Sequence, residues 1–134
     1  MDARNFMTRW TPFFLALFIV GSVTAQELPR GPLPEVANTD IGYRTVADAL
    51  ASLKKRTNVV ISTVRGWLII TDEANKTIWS FAPDSYIAHP AVVKRSVQPK
   101  ADGGSEINMS VLCEATKKAC DQLVREFVSM NKRI

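Results

Sequence analysis

Two apolar runs joined by only two residues place the strongest constraint on how this chain can fold. Residues 59–64 (VVISTV) and 67–71 (WLIIT) are rich in β-branched side chains, and only Arg65 and Gly66 separate them. A two-residue connection that contains a glycine is typical of a tight β-hairpin. A short polar turn then leads into a third β-like run at residues 77–81. The middle of the chain therefore predicts a meander of antiparallel strands.

Helical patterns lie on both sides of this strand-rich region. Thr45 is placed to cap a helix that runs to Arg56, and apolar residues at helical spacing also occupy residues 115–131. Two more extended segments, residues 91–97 and 106–111, precede the second helix. The predicted fold class is α+β in the order α-β-β-β-β-β-α. It is an antiparallel meander sheet of about five strands, with an N-terminal and a C-terminal helix packed on it.

The first 25 residues have the pattern of a secretory signal peptide. Arg4 and Arg9 precede an uncharged apolar segment that ends in small residues, which predicts cleavage between Ala25 and Gln26. An uncleaved membrane anchor is the alternative, although the apolar segment is shorter than the roughly 20 residues of a spanning helix. We therefore expect a protein of the periplasm, or a secreted one, without a stable membrane span after cleavage.

The chain that follows divides into a leader and a folded unit. Residues 26–40 contain three prolines and a glycine, which disfavour both a helix and a central strand. This composition predicts a flexible Pro-rich leader. Residues 41–134 predict a single α+β domain.

The two cysteines, Cys113 and Cys120, predict an intramolecular disulfide. They are seven residues apart, so on one straight helix their Cα atoms would lie about 10.5 Å apart, beyond the reach of a disulfide. The bond becomes feasible if Cys113 ends the last strand and the chain turns before the second helix. Export favours oxidation of such a pair. There is no CxxC redox motif, and two thiols are too few to hold a structural metal.

The turns also predict a strand register. The first turn pairs Val64 with Trp67, and a pairing of Thr71 with Thr77 across the second turn would place Trp67 opposite Phe81. Two helices cover one face of such a sheet, so the other face needs the loop at 83–91, the leader or a partner protein. Aromatic residues on that face or in the loop are candidates for binding. The candidate binding residues are Trp67, Trp79, Phe81, Tyr86 and His89.

His89 is the only histidine, so any catalysis by histidine depends on it. Asp84, Ser85 and Tyr86 lie close to it in the chain, which leaves a small envelope hydrolase centred on His89 as an alternative. The sequence has no nucleophile elbow, P-loop, zinc-protease or dinucleotide-binding motif. It predicts no catalytic residue, no cofactor and no metal.

The net charge of +4 arises from basic residues that are scattered along the chain. Examples are the pair Lys94 and Arg95 and the triplet at residues 54–56. Nucleic acid is not an expected partner, because its recognition needs basic residues clustered on one face. A structural envelope component that binds an anionic polymer is a further alternative.

Four sequence patterns resemble those of small exported proteins of Gram-negative bacteria that have no assigned activity. They are WxIxxD from Trp67, WSFxP from Trp79, HPAVVKR from His89 and CEAxxxACD from Cys113. The resemblance implies a periplasmic setting and supplies no functional residues. We expect a non-enzymatic protein-interaction module, with an inhibitor or immunity protein as one subtype. Its partner is expected to be a periplasmic protein or a second copy of the chain, in a homodimer.

Overall fold

The computed structural model describes residues 40–133; the expected signal peptide, the leader up to residue 39 and residue 134 lie outside them. The described residues form one antiparallel sheet in the order β1-β2-β3-β4-β5, with one helix before it and one after it. This confirms the predicted α+β meander. The elements are α1 (Val46–Lys54), β1 (Val60–Val64), β2 (Trp67–Asp72), β3 (Thr77–Phe81), β4 (Ala91–Pro99), β5 (Ser105–Cys113) and α2 (Lys117–Asn131).

The turn between β1 and β2 has the conformation that the hairpin requires. Arg65 has φ +50° and Gly66 has φ +85°. Two successive positive φ angles are typical of the type I′ turn, whose twist matches that of the flanking strands. Val64 pairs with Trp67 across this turn, and the register continues to Val60. The predicted register of this hairpin is confirmed.

The predicted register between β2 and β3 is wrong by one residue. Asp72, rather than Thr71, pairs with Thr77, so that Ile70 lies opposite Trp79. The cause is the Asp72 side chain, which accepts a hydrogen bond from the backbone N–H of Asn75 at 3.1 Å. That contact keeps Asp72 as the last strand residue and closes a four-residue turn. A slip of one residue transfers every side chain of β3 to the opposite face.

Each helix packs on its own face of the sheet, so the expectation that one face lacks a helix is wrong. The α1 face of the sheet, as we call it, carries Ile70, Trp79, Phe81 and Val92, which pack with apolar residues of α1. The opposite face, here the α2 face, carries residues that pack with α2 and with the loop between β3 and β4. They are Trp67, Val93, Met109 and Val111.

Side-chain hydrogen bonds and a disulfide hold the N-terminal ends of the two helices in place. Thr45 caps α1 as predicted, since its Oγ1 accepts a hydrogen bond from the Asp48 N–H at 3.0 Å. Glu114 Oε1 accepts a second one from the Val46 N–H at 3.0 Å. The Cys113–Cys120 disulfide is present, with Cα atoms 5.8 Å apart, because Cys113 ends β5 before the chain turns into α2. The predicted disulfide is therefore confirmed.

Candidate functional site

Two of the aromatic residues predicted to bind a partner lie in the core. Trp79 and Phe81 are each only 4% exposed, and both belong to the cluster beneath α1. Tyr43 packs edge-on against Trp79, with ring centroids 5.7 Å apart. Trp79 and Phe81 are buried because the observed register places them on the face that α1 covers. Their assignment as binding residues is therefore corrected, because neither side chain is accessible to a partner.

Trp67 and Tyr86 form an aromatic cluster on the α2 face. The Trp67 ring lies 5.0 Å from that of Tyr86 and 5.6 Å from that of Phe127. The Tyr86 hydroxyl donates a hydrogen bond of 2.6 Å to Glu126 Oε2 on α2. Burial, followed by the contact with Glu126, raises the pKa of Tyr86. The cluster therefore anchors the loop between β3 and β4 to α2, and it leaves Trp67 half-buried.

His89 contacts a carboxylate but no nucleophile. Its Nε2 lies 3.1 Å from Asp84 Oδ1, and the Asp84 side chain is fully exposed. Within residues 40–133, no side-chain hydroxyl is hydrogen-bonded to the His89 ring, and that of Tyr86 is directed to Glu126. The structure thus brings together two of the four residues of the hydrolase hypothesis. A histidine and an acid can move a proton but need a nucleophile for covalent hydrolysis.

Strand β1 is an exposed sheet edge that the sequence analysis did not single out. All five of its residues are exposed, including Val60 (57%), Ile61 (44%) and Val64 (54%). It pairs only with β2, and no backbone hydrogen bond links its other edge to any part of residues 40–133. The strand contains no charge and no proline, the devices that usually protect an edge. The lack of charged residues in β1 is the sequence feature that could have identified it as an interaction edge.

A groove of about 500 Å³ lies on the α2 face, between the β1–β2 hairpin and the C-terminal part of α2. Arg65, Ser80 and Arg95 contribute polar groups to it. No carboxylate of the described residues lines it. Its apolar lining consists of Val64, Trp67, Ile69, Ile78, Phe127 and Met130.

Two buried polar atoms of the groove have no hydrogen-bond partner among the described residues. They are Arg95 Nε and Ser80 Oγ. Ser80 is only 1% exposed, and burial lowers the pKa of the Arg95 guanidinium. Sequence reasoning missed both residues, since Arg95 stood in a basic pair and Ser80 between two aromatic residues. The alternation of side chains along a strand could have identified Arg95, because it places Arg95 and Lys94 on opposite faces of the sheet.

No family model, no curated protein and no solved structure matches this chain. Neither helix of residues 40–133 has the length and apolar character needed to cross a membrane. No three histidine, cysteine or acidic residues in that part of the chain are grouped so that they could hold a metal ion. The exposed edge of β1 and the groove on the α2 face are candidate interaction surfaces of the described residues.

Proposed function

We propose that this chain is an exported periplasmic protein that acts as a non-enzymatic protein-interaction module through the edge of β1, and that its partner is a second copy of the chain. The observation that carries the proposal is the outer edge of β1, which pairs with no other strand of residues 40–133 and whose five residues are all exposed and uncharged. Such an edge presents backbone donors and acceptors that another strand can pair with.

The geometry of β1 suits antiparallel pairing with itself around Ser62. In that register Val60 of one copy lies opposite Val64 of the other, and Ile61 lies opposite Thr63. Pairs of β-branched side chains stabilise antiparallel strands, and no like charges would meet because β1 carries none. The pairing would join two five-stranded sheets into one sheet of ten strands.

The other edge of the sheet explains why such an assembly would stop at two copies. The exposed positions at the start of β5 include Ser105, Glu106 and Asn108, which are polar. An apolar edge at one side and a polar edge at the other favour a contact between identical edges. Such a contact has two-fold symmetry and closes on itself, so it does not propagate into fibres.

Export is supported by the signal-peptide pattern and is compatible with the disulfide between Cys113 and Cys120. Intact-mass measurement of the protein recovered from the periplasm tests it. We expect a chain that begins at Gln26, with a mass about 2 Da below that of its dithiol form. Recovery of the uncleaved chain from the cytoplasm with both thiols free would contradict the proposed compartment.

Sedimentation equilibrium tests the proposed partner. We expect the wild-type mass to rise toward that of a dimer with concentration, and the Ser62→Lys variant to remain monomeric because two ammonium groups would meet at the two-fold axis. The matched control is Asn108→Lys, which places the same charge on the other edge strand and is expected to dimerise like the wild type. A wild-type protein that stays monomeric at every concentration would contradict the proposal.

The contact between His89 and Asp84 favours a second candidate, the envelope hydrolase. It predicts turnover of chromogenic esters that is lost in His89→Ala. Our proposal predicts that wild type and His89→Ala are equally inactive toward them.

The inhibitor or immunity subtype would use the same edge strand against an envelope enzyme. A stoichiometric complex with such an enzyme that Ser62→Lys disrupts would support this subtype.

A further inference from the structure

Among residues 40–133, the guanidinium of Arg95 has no anionic partner. It lies over the Phe127 ring, with Cζ 5.2 Å from the centroid, and Nη1 contacts the thioether of Met130 at 3.6 Å. No carboxylate within residues 40–133 forms an ion pair with it, and its Nε is buried and without a partner. A guanidinium offers five donors in a fork that fits a carboxylate. A partly buried cation that forms no ion pair lowers the stability of the fold, and a bound anion would offset this loss.

Ser80 supplies a second polar group to the same groove. Its side chain is almost completely buried, and its Oγ has no hydrogen-bond partner among the described residues. In the pairing of β3 with β4, Ser80 lies opposite Val93, and Arg95 is two positions further along β4, opposite Ile78. Ser80 and Arg95 are therefore diagonal neighbours on the α2 face. A hydroxyl and a guanidinium placed this way can donate to one bound anion.

We propose that this groove is a binding site for an alkyl carboxylate, whose head group lies between Arg95 and Ser80 and whose chain lies against Trp67, Ile69 and Met130. The groove volume of about 500 Å³ lies within the roughly 300–1,000 Å³ of small-molecule sites, which are mostly apolar with few polar groups. Among the described residues, the charges in its lining are those of Arg65 and Arg95. That charge pattern is complementary to a monoanion.

The same lining disfavours a polypeptide segment as the occupant. A bound peptide would bring a backbone N–H and C=O at every residue, and each buried group without a partner costs free energy. Among the described side chains that line the groove, Ser80, Arg65, Arg95 and the indole N–H of Trp67 supply the polar groups. An alkyl chain needs no hydrogen bonds, so it can pack directly against the apolar side chains that line the groove. The site is formed by side chains and does not depend on strand pairing at β1.

Titration calorimetry with sodium decanoate, below its micellar range, tests the site on the protein purified from the full-length chain. We expect saturable binding of one decanoate per chain and markedly weaker binding of decanol, which lacks the charge. Arg95→Met is expected to weaken decanoate binding at least about tenfold, because it removes a charge-assisted hydrogen bond. The matched control is Lys94→Met, which removes the same charge from the α1 face and is expected to leave affinity unchanged.

Thermal unfolding without ligand separates a binding role from a structural one. The Tm of Arg95→Met should lie close to that of the wild type, because the variant loses the contact with Phe127 but also removes a half-buried cation that has no ion pair within residues 40–133. Ser80→Ala gives a second test in which the core keeps its shape, and it too is expected to weaken decanoate binding. If Arg95→Met does not fold, the affinity of Ser80→Ala decides the test.

Four results of the decanoate experiments would overturn the site. They are no decanoate binding by the wild type, equal affinity for decanol, undiminished affinity in both Arg95→Met and Ser80→Ala, or an equal loss in Lys94→Met. Tighter binding of a synthetic peptide of residues 26–39 than of decanoate would also overturn it, since the occupant would then be a peptide. A monomeric wild type that binds decanoate as expected would contradict the proposed dimer and leave this site supported.

Discussion

Lys94 and Arg95 are consecutive residues of β4, yet each lies over an aromatic ring on a different face of the sheet. Lys94 Nζ is 5.1 Å from the centroid of Trp79 on the α1 face, and Arg95 Cζ is 5.2 Å from that of Phe127 on the α2 face. The two charges therefore do not form one basic patch. An anionic polymer that contacted both residues would therefore have to reach both faces of the sheet.

The burial of Trp79 predicts a large difference between the two tryptophans of the sheet. Trp79→Ala is expected to lower the free energy of unfolding by about 3–5 kcal/mol, because it leaves a cavity beneath α1. Trp67→Ala should cost clearly less, since Trp67 is half-buried. Urea denaturation measures both. Val97→Ala, at an exposed strand position, is the control, with an expected change within about 0.5 kcal/mol. A Trp67→Ala cost equal to or above that of Trp79→Ala would contradict the register.

The disulfide between Cys113 and Cys120 is expected to stabilise the domain by about 2 kcal/mol, because it closes a short loop in the unfolded chain. Replacing both cysteines with alanine should therefore lower the Tm by about 10 °C. Calorimetry of the double variant and of the wild type under oxidising conditions makes the comparison. Reducing agent should lower the wild-type Tm toward that of the variant and leave the variant unaffected. Equal Tm values for the two proteins under oxidising conditions would refute this prediction.

Asp72 predicts a specific acid dependence of stability. Its carboxylate is buried in the β2–β3 turn, and hydrogen bonds from Asn75 lower its pKa below the ordinary 3.8. A lowered folded-state pKa contributes stability above the unfolded-state value, and this is lost as the pH falls through the folded-state value. The wild type should be more stable than Asp72→Asn at pH 7, with a difference that shrinks below about pH 4.

Denaturant titrations from pH 7 to pH 2 test this dependence. Glu73→Gln is the matched control, because it removes a negative charge from an exposed side chain in the same turn. We expect its stability difference from the wild type to be small and nearly constant over this range. An Asp72→Asn difference that does not change with pH would show that the carboxylate makes no linked contribution.

Glu114 is expected to stabilise α1 from the far end of the chain. Its carboxylate accepts the Val46 N–H at the first turn of α1, where a negative charge interacts favourably with the helix dipole. Glu114→Ala should cost about 1 kcal/mol, and Glu114→Gln should cost less, because it keeps the acceptor and loses the charge. Equal costs for both variants in urea denaturation would contradict this prediction, because the neutral acceptor would then contribute nothing. A Glu114→Gln variant as stable as the wild type would show that the charge contributes nothing.

The sequence predicted the elements and the first hairpin because local chemistry determines both. Two residues between β1 and β2 allow one register, and Gly66 accepts the positive φ that it needs. The turn after β2 is longer, and its length depends on side-chain contacts within the turn, among them the hydrogen bonds from Asn75 to Asp72. Reading that turn one residue too long, with Asp72 in the turn rather than in the strand, moved Trp79 to the wrong face.

The positions of the two helices and the groove could not be predicted in the same way. Which face a helix covers depends on the direction in which its connection leaves the sheet, and the periodicity of α1 or α2 is the same on either face. The site at Arg95 and Ser80 combines residues of two strands beneath α2. It became visible only once the register and the placement of α2 were known.

The central claim is that β1 pairs with a second copy around Ser62, and mixing two variants of opposite charge tests it most directly. Ser62→Lys and Ser62→Asp should each be monomeric alone, because like charges meet at the two-fold axis. Mixed in equal amounts and examined by native mass spectrometry, they should form a heterodimer, since an ammonium and a carboxylate then lie opposite each other. Dimers of either variant alone, or a mixture that stays monomeric, would contradict the account.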